Sequence, residues 1–253
     1  MCLIFISLSN HPHYKLIVAA NRDEFYHRKT APAQYWNDHS QILGGRDLEA
    51  NGTWMAMTKS GKLGMVTNYR DLKNINPNAP TRGQLVSDFL TNGDHAEAYL
   101  KEVHHKAPQY NGFNLVVGEL DNLYYYSNYQ SKIVRLEPGF FGLSNHLLDT
   151  PWPKVENGKK KMLPVISADT VSPNDLFEIL LDEEIAPDNQ LPSTGLDIER
   201  ERALSAMFIK TPNYGSRCST VILVDRNNKI TFQERVYNLE TFDFEENKFE
   251  VVM

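Results

Sequence analysis

No stretch of this chain approaches the ~18 consecutive apolar residues that a membrane-crossing helix needs, so no transmembrane segment is expected. Cysteine is nearly absent, with 2 in 253 residues, Cys2 and Cys218. Two thiols do not make a disulfide framework, and a reducing, cytoplasmic setting follows. An excess of positive charge is also missing. Lys and Arg number 26 against 32 Asp and Glu, for a net charge of −6, which disfavours a polyanion-binding surface and excludes nucleic acid as a partner. The one basic run, Lys159-Lys160-Lys161, reads as a solvated face. The first apolar segment lacks a basic start and is broken after Leu8 by Ser9-Asn10-His11-Pro12-His13, so it does not read as a signal peptide.

Several chemical motifs are lacking too. There is no Gly-x-x-x-x-Gly-Lys phosphate loop and no GxGxxG following a strand, and Gly44-Gly45-Arg46-Asp47 reads instead as a turn lining a pocket mouth. His11-Pro12-His13 and His104-His105 have no acidic or Cys/His companion at zinc spacing, so no metal site is expected.

What is present describes an ordinary globular protein. A hydrophobic fraction of 41% and a charged fraction of 23% suit a packed core, and the length suits one domain over residues 1–253. Cys2 to Leu8 and Tyr14 to Ala20 are apolar on consecutive residues, which predicts a hairpin of strands covered on both faces. A second hairpin is predicted at Thr53 to Thr58 and Lys62 to Asn68, around Lys59-Ser60-Gly61. Helices are predicted from Thr81, with Thr81 and Gln84 at capping-box spacing, and from Asp94, with Glu97 three residues on. Strands follow at Gly112 to Leu120, Leu123 to Ser127, Ile133 to Leu136 and Phe140 to Ser144. Ser172-Pro173-Asn174-Asp175 opens another helix, Ile198 to Ile209 is a further helix candidate, and Arg217 to Val224 with Lys229 to Arg235 returns to strands. Hairpins joined by short turns, with helices grouped between them, predict an α+β fold of antiparallel sheets with separate helical layers. Trp54, Trp152 and Tyr124-Tyr125-Tyr126 are assigned to packing, and Cys218 to the core.

The chemistry concentrates at the start of the chain. If Met1 is removed, Cys2 carries both a thiol and a free α-amine, a nucleophile beside its own base. An unperturbed thiol near pKa 8.5 is ionised only slightly at neutral pH, whereas an α-amine near 7.7–8.0 can take its proton. A guanidinium nearby would stabilise the thiolate, and Arg22 and Arg217 stand at the end and the start of apolar strands. Asn21-Arg22-Asp23-Glu24 directly continues the second strand, a place where sites are often built. On a regular strand Arg22 and Glu24 share one face and Asn21 and Asp23 the other, so either acid is a candidate to orient the amine.

Met1-Cys2, Asn21-Arg22-Asp23-Glu24-Phe25, Gly44-Gly45-Arg46-Asp47, Asn51-Gly52-Thr53-Trp54, Thr67-Asn68-Tyr69-Arg70, Thr81-Arg82-Gly83, Asn111-Gly112-Phe113-Asn114, Leu143-Ser144-Asn145 and Ser216-Arg217-Cys218-Ser219-Thr220 occur in this order. Together they resemble the NRDE family, also called the transport-and-Golgi-organisation-2 family, over nearly the whole chain. The resemblance implies a four-layer αββα sandwich of two antiparallel sheets between helical layers, N-terminal-nucleophile hydrolase-like, with a more distant similarity to bile-salt hydrolases, penicillin V acylases and acid ceramidase. It further implies Cys2 as nucleophile, Asp23 as the residue serving the amine, Asn68 and Asn145 shaping the oxyanion site, and Arg217 near the thiol. The sequence departs from the acylases at Ala20, where a gapless match of Asp23 puts their arginine; Arg22 stands two positions further on. Two functions are expected on this basis. One is hydrolysis of a linear amide or acyl compound through Cys2 with no cofactor. The alternative is a non-enzymatic haem- or lipid-binding or trafficking protein on the same fold, with haem as its ligand.

Overall fold

The computed structural model describes residues 2–253. In chain order the strands are β1 (Cys2–Leu8), β2 (Tyr14–Phe25), β3 (Thr30–Tyr35), β4 (Ile42–Asp47), β5 (Met55–Thr58) and β6 (Lys62–Asn68), followed by helices α1 (Gly83–Thr91) and α2 (Ala96–Lys106). Then come β7 (Phe113–Glu119), β8 (Asn122–Ser127), β9 (Lys132–Arg135) and β10 (Gly139–Leu143). Helices α3 (Pro153–Ile166), α4 (Pro173–Leu180) and α5 (Ile198–Ala203) precede β11 (Tyr214–Asp225), β12 (Lys229–Tyr237) and β13 (Phe244–Val252).

The strands form two sheets, in the orders β10-β1-β2-β11-β12-β13 and β3-β4-β5-β6-β7-β8-β9. In the first, β1 pairs antiparallel with β10 and β2, and β11 antiparallel with β2 and β12. Every neighbouring pair of the second is antiparallel. The class is thus α+β with antiparallel sheets and separate helices. The described residues divide into two compact units, residues 2–27, 138–144 and 148–250, and residues 28–137, 145–147 and 251–253.

In the first unit β1 is buried along its whole length, as its unbroken apolar run predicts. Leu3 and Phe5 of β1, Ile17 and Ala19 of β2, and Val221 and Leu223 of β11 pack in one cluster with Val155, Met162 and Ile166 of α3 and Leu176, Phe177 and Leu180 of α4. These strand residues alternate along their strands, so one face of the sheet carries the helices. Gly158 sets the spacing: a Cβ there would lie 2.1 Å from Cζ of Phe5, so α3 sits directly on the β1 ring. Burying each of these large apolar side chains contributes roughly 1.5–3 kcal/mol. The basic run lies on α3, with Lys159 paired to Asp149 at 2.8 Å and Lys161 to Glu184 at 3.0 Å.

The second unit packs Leu85, Val86, Phe89 and Leu90 of α1 and Tyr99, Leu100 and Val103 of α2 against Ala56, Val66, Phe113, Leu115 and Val117. The stripe at Leu85, Phe89 and Leu90 is therefore the buried face of α1. Its start differs from expectation: Arg82 is the N-cap without a side-chain cap, and Gln84 Nε2 donates to Asp88 instead. Likewise His95, not Asp94, precedes α2, and the Ser172 side chain makes no cap bond to α4. Where a polar side chain finds a competing partner, as Gln84 does in Asp88, the cap bond is lost. The helix expected to reach Ile209 stops at Ala203.

Gly44-Gly45 lies within β4 and not in a turn. Gly44 pairs with Ala56, and its carbonyl accepts from Trp36 Nε1 at 3.0 Å. A glycine here admits a close neighbouring strand, a reading that the local signal for a turn conceals. Among the described residues, no helix is long and apolar enough to cross a membrane.

Candidate functional site

Three strands of the first unit assemble the centre. Cys2 of β1 stands directly opposite Arg22 of β2, and Arg22 in turn opposite Cys218 of β11. Residues directly opposite in antiparallel strands project to the same face, so Cys2, Arg22 and Cys218 form one row. Leu3 is opposite Asn21, which puts Asn21 and Asp23 on the face that carries the helices. The motif Asn21-Arg22-Asp23-Glu24 is thereby divided as strand alternation requires.

The helical face takes up both of its members. Asn21 Nδ2 donates to the carbonyls of Leu180 at 2.8 Å and Met207 at 2.9 Å, and its Oδ1 accepts from Ser219 Oγ at 2.6 Å. Asp23 Oδ1 accepts from Ser216 Oγ at 2.7 Å, and the same Oγ accepts from the backbone N–H of Ile209 at 3.0 Å. A bulge makes this arrangement. The register between β2 and β11 shifts between Ser216 and Cys218, so Arg217 is the extra residue. One additional residue reverses the facing of everything beyond it. Ser216 therefore meets Asp23 on one face while Cys218 meets Arg22 on the other. Cys218 is buried, as a core residue is expected to be; its position level with Cys2 follows only from the strand pairing.

Cys2 is 7% exposed. Burial pushes its thiol above the ordinary cysteine value, as does the Asp23 carboxylate, while the Arg22 guanidinium and a hydrogen bond donated by the Asp23 backbone N–H pull it down. Arg22 is 8% exposed and lies 3.8 Å from Glu24, the residue sharing its face. Ser144 Oγ donates to the Cys2 carbonyl at 3.4 Å. Arg217 Nη1 donates to the carbonyls of Phe25 at 2.9 Å and Tyr26 at 3.1 Å, so it clamps the end of β2. Burial and the neighbouring Arg22 charge lower its pKa. Cys218 is held as a thiol: burial first, then the Glu234 charge, raise it well above the usual range, and its S–H donates to Glu234. Cys2 and Cys218 are free cysteines. They are separated by the whole of β2, about 9–10 Å between Cα atoms at ordinary strand spacing, too far for a disulfide.

Burial also raises the Asp23 carboxyl above the ordinary aspartate value; among the described residues the largest opposing influence is the positive charge of Lys154, ahead of the Ser216 hydroxyl and Arg22. Nothing in the local sequence Trp152-Pro153-Lys154 marks a buried lysine.

The second unit holds Asn68 and Asn145. Asn145 Nδ2 donates to the Asn68 carbonyl at 3.1 Å, and the Asn145 carbonyl accepts from the Arg70 N–H at 2.7 Å. Asn114 braces the same segment: its Nδ2 donates to Thr67 Oγ1 at 3.1 Å and to the His146 carbonyl at 2.9 Å, and its Oδ1 accepts from Tyr125 OH. Tyr69 stacks on Tyr129 with ring centroids 3.8 Å apart, and its hydroxyl lies 2.9 Å from His146 Nε2. Burial lowers the His146 pKa. The Gly112 carbonyl accepts from the Tyr69 N–H and from Arg82 Nη1, so three of the short motifs meet at one residue. Asn114 was readable as a polar residue in an apolar strand; Tyr69, Tyr129 and His146 carried no such signal.

Of the six residues singled out from sequence, the structure brings Cys2, Arg22, Asp23 and Arg217 together in one unit and Asn68 with Asn145 in the other. The family model for Transport and Golgi organisation 2 matches residues 1–239. A Transport and Golgi organization 2 homolog of Mus musculus is 37% identical over 279 residues, covering 100% of this chain and 99% of that protein. The Drosophila melanogaster Transport and Golgi organization protein 2 is 30% identical over 260 residues, covering 92% and 91%. Among solved structures, a Caenorhabditis elegans N-acylethanolamine-hydrolyzing acid amidase ortholog is similar at a TM-score of 0.49 and 9% identity, over 88% of this chain and 92% of that one.

Proposed function

This chain belongs to the Transport and Golgi organisation 2 family, and from that premise we propose that it is an N-terminal cysteine hydrolase of a linear amide or related acyl compound. The observation that carries this reading is the opposition of Cys2 and Arg22 at the ends of two paired strands, with the Asp23 N–H directed at the sulfur. Removal of Met1 would expose the amine of Cys2. That amine would take the thiol proton, Sγ would attack the acyl carbon, and the amine would return the proton to the departing nitrogen. Water would then hydrolyse the thioester. Arg22 opposite the sulfur favours the thiolate, with Arg217 holding the strand end that carries it. The nitrogen of Cys2 lies in the plane of the sheet, so Asp23 can serve it from the face opposite the thiol. By resemblance Asn145 and Asn68 would shape the oxyanion site, where one donor is typically worth ~3 kcal/mol of barrier. Two free thiols suit a reducing, cytoplasmic compartment.

The test is intact-mass spectrometry of the purified protein before and after an acyl or electrophilic thiol probe. Loss of Met1 and one added label that disappears in Cys2→Ala is the expected result; retained Met1, or labelling unaffected by that change, overturns the reading.

Two observations favour a second reading. Burial raises the pKa of the Cys2 thiol, and Ala20 stands where the acylases carry an arginine, which fits a haem- or lipid-binding protein on the same fold. A saturable haem-induced spectral shift that survives Cys2→Ala, with no turnover across a panel of acyl amides, is the result this reading requires.

A further inference from the structure

Lys154 is the second residue of α3 and only 2% exposed. Two physical terms oppose that placement. A buried ammonium loses its hydration, and the first turn of a helix, where N–H dipoles point outwards, repels a cation. A lysine placed at such a position needs an anionic counterpart within the same dry region.

The fold supplies one. Helix α3 lies on the sheet face that carries Leu3 and Phe5, and Leu3 is opposite Asn21. Asn21 and Asp23 alternate along β2, so the Asp23 side chain projects to the α3 side. Asp23 is 1% exposed, with Ser216 as the hydroxyl donor to its carboxylate. Among the described residues, Lys154 from α3 acts on it most strongly, ahead of Ser216 from β11 and Arg22 from β2 itself, and the Cys2 thiol and the Tyr26 hydroxyl also lie within its electrostatic reach. Arg22 sits on the opposite face with Cys2.

We propose that Lys154 is a positioning residue of the Cys2 centre: its buried ammonium is the counter-charge that offsets part of the cost of burying the Asp23 carboxylate and holds that carboxylate aimed at the amine of Cys2. This rests on the reading of Asp23 as the residue that serves the amine. It also assigns the two cations separate tasks, Arg22 to the sulfur from one face and Lys154 to the carboxylate from the other. Lysine suits the second task because a single point charge suffices, whereas a guanidinium would bring further donors into a pocket already holding the Ser216 hydroxyl.

The experiment is a carboxyl-carbon NMR titration of the full-length protein labelled at aspartate, in wild type, Lys154→Met and Lys154→Arg, with Asp23 assigned through Asp23→Asn. The expected result is an Asp23 midpoint raised by about one to three pH units in Lys154→Met, the usual scale for loss of a close opposite charge, and largely restored in Lys154→Arg. An unmoved midpoint in a folded Lys154→Met protein overturns the proposal. Should that variant not fold, urea unfolding of Asp23→Asn, Lys154→Gln and the pair together decides it. The pair should cost less than the sum of the single changes, and simple additivity overturns the proposal. The titration reads the Lys154–Asp23 coupling whether or not Cys2 labels, so failure of this inference and failure of the hydrolase reading are told apart.

Discussion

Ser216 Oγ donates to Asp23 Oδ1 at 2.7 Å, across a bulge that sets Arg217 outside the β2–β11 register. The bulge matters because it decides facing. Without the extra residue Ser216 would share the side of Cys218, and Asp23 would lose its hydroxyl donor to the opposite face of the sheet. The same Oγ accepts from the Ile209 N–H, so one small side chain ties the end of β2 to the segment before β11.

Ser216→Ala leaves a buried carboxylate oxygen without its donor and a buried backbone N–H without its acceptor. Each such loss costs about 1–3 kcal/mol. Urea unfolding is expected to show a lower midpoint at unchanged slope. Stability equal to wild type would mean that neither bond contributes.

Arg22→Met removes the guanidinium that pulls the Cys2 thiol down while keeping the apolar stem. The thiol pKa, already raised by burial, then rises further. The pH at which iodoacetamide alkylation of Cys2 reaches half its limiting rate is expected to move upwards. A profile that stays in place, or moves down, would show that Arg22 does not act on the sulfur.

Asp23→Asn changes how stability depends on pH. The Asp23 pKa is raised in the folded protein, so the folded state binds this proton more tightly than the unfolded chain. The contribution is fully favourable below the unfolded aspartate value and is lost as pH rises through the folded one. Relative to Asp23→Asn, wild type should therefore lose stability on going from acid towards neutral pH. Denaturation curves of both proteins across that range measure it, and a constant difference would refute the raised pKa.

Gly112→Ala puts a Cβ 2.8 Å from Cε2 of Tyr129 and 3.0 Å from Cβ of Tyr69, at the residue whose carbonyl receives Tyr69 N–H and Arg82. Forced rearrangement of this kind typically costs about 1–3 kcal/mol. A lower Tm together with a changed near-ultraviolet circular dichroism signal from the Tyr69–Tyr129 stack is expected. An unaltered signal with full stability would mean that the ring pair shifts freely.

Much of the architecture is legible in one dimension. The continuous apolar runs of Cys2 to Leu8 and Tyr14 to Ala20 announce strands buried on both faces, and the turn at Lys59-Ser60-Gly61 announces a hairpin. The strands β3 and β13 carry weaker signals: Thr30–Tyr35 contains Pro32, and Phe244–Val252 is largely polar and exposed. Both are end strands of their sheets, where half the ladder is unpaired and the pattern is correspondingly relaxed. Helix α3 is concealed by Asn157-Gly158, a dipeptide that favours turns in isolation. Here the glycine is needed for contact with Phe5, and packing overrides local preference.

Alternation along β2 follows from the chain alone: Arg22 with Glu24 on one face, Asn21 with Asp23 on the other. So does the candidacy of Cys2, since its place behind Met1 is a matter of order and not of folding. Which cation lies on which face of the sheet was decided by tertiary structure. The bulge at Arg217 reverses facing between Ser216 and Cys218, and the seating of α3 on Phe5 brings Lys154 to the side of Asp23. A strand's period of two is a local property of the backbone. The burial of a charge depends on residues more than a hundred positions away, and it is there that the sequence alone fell silent.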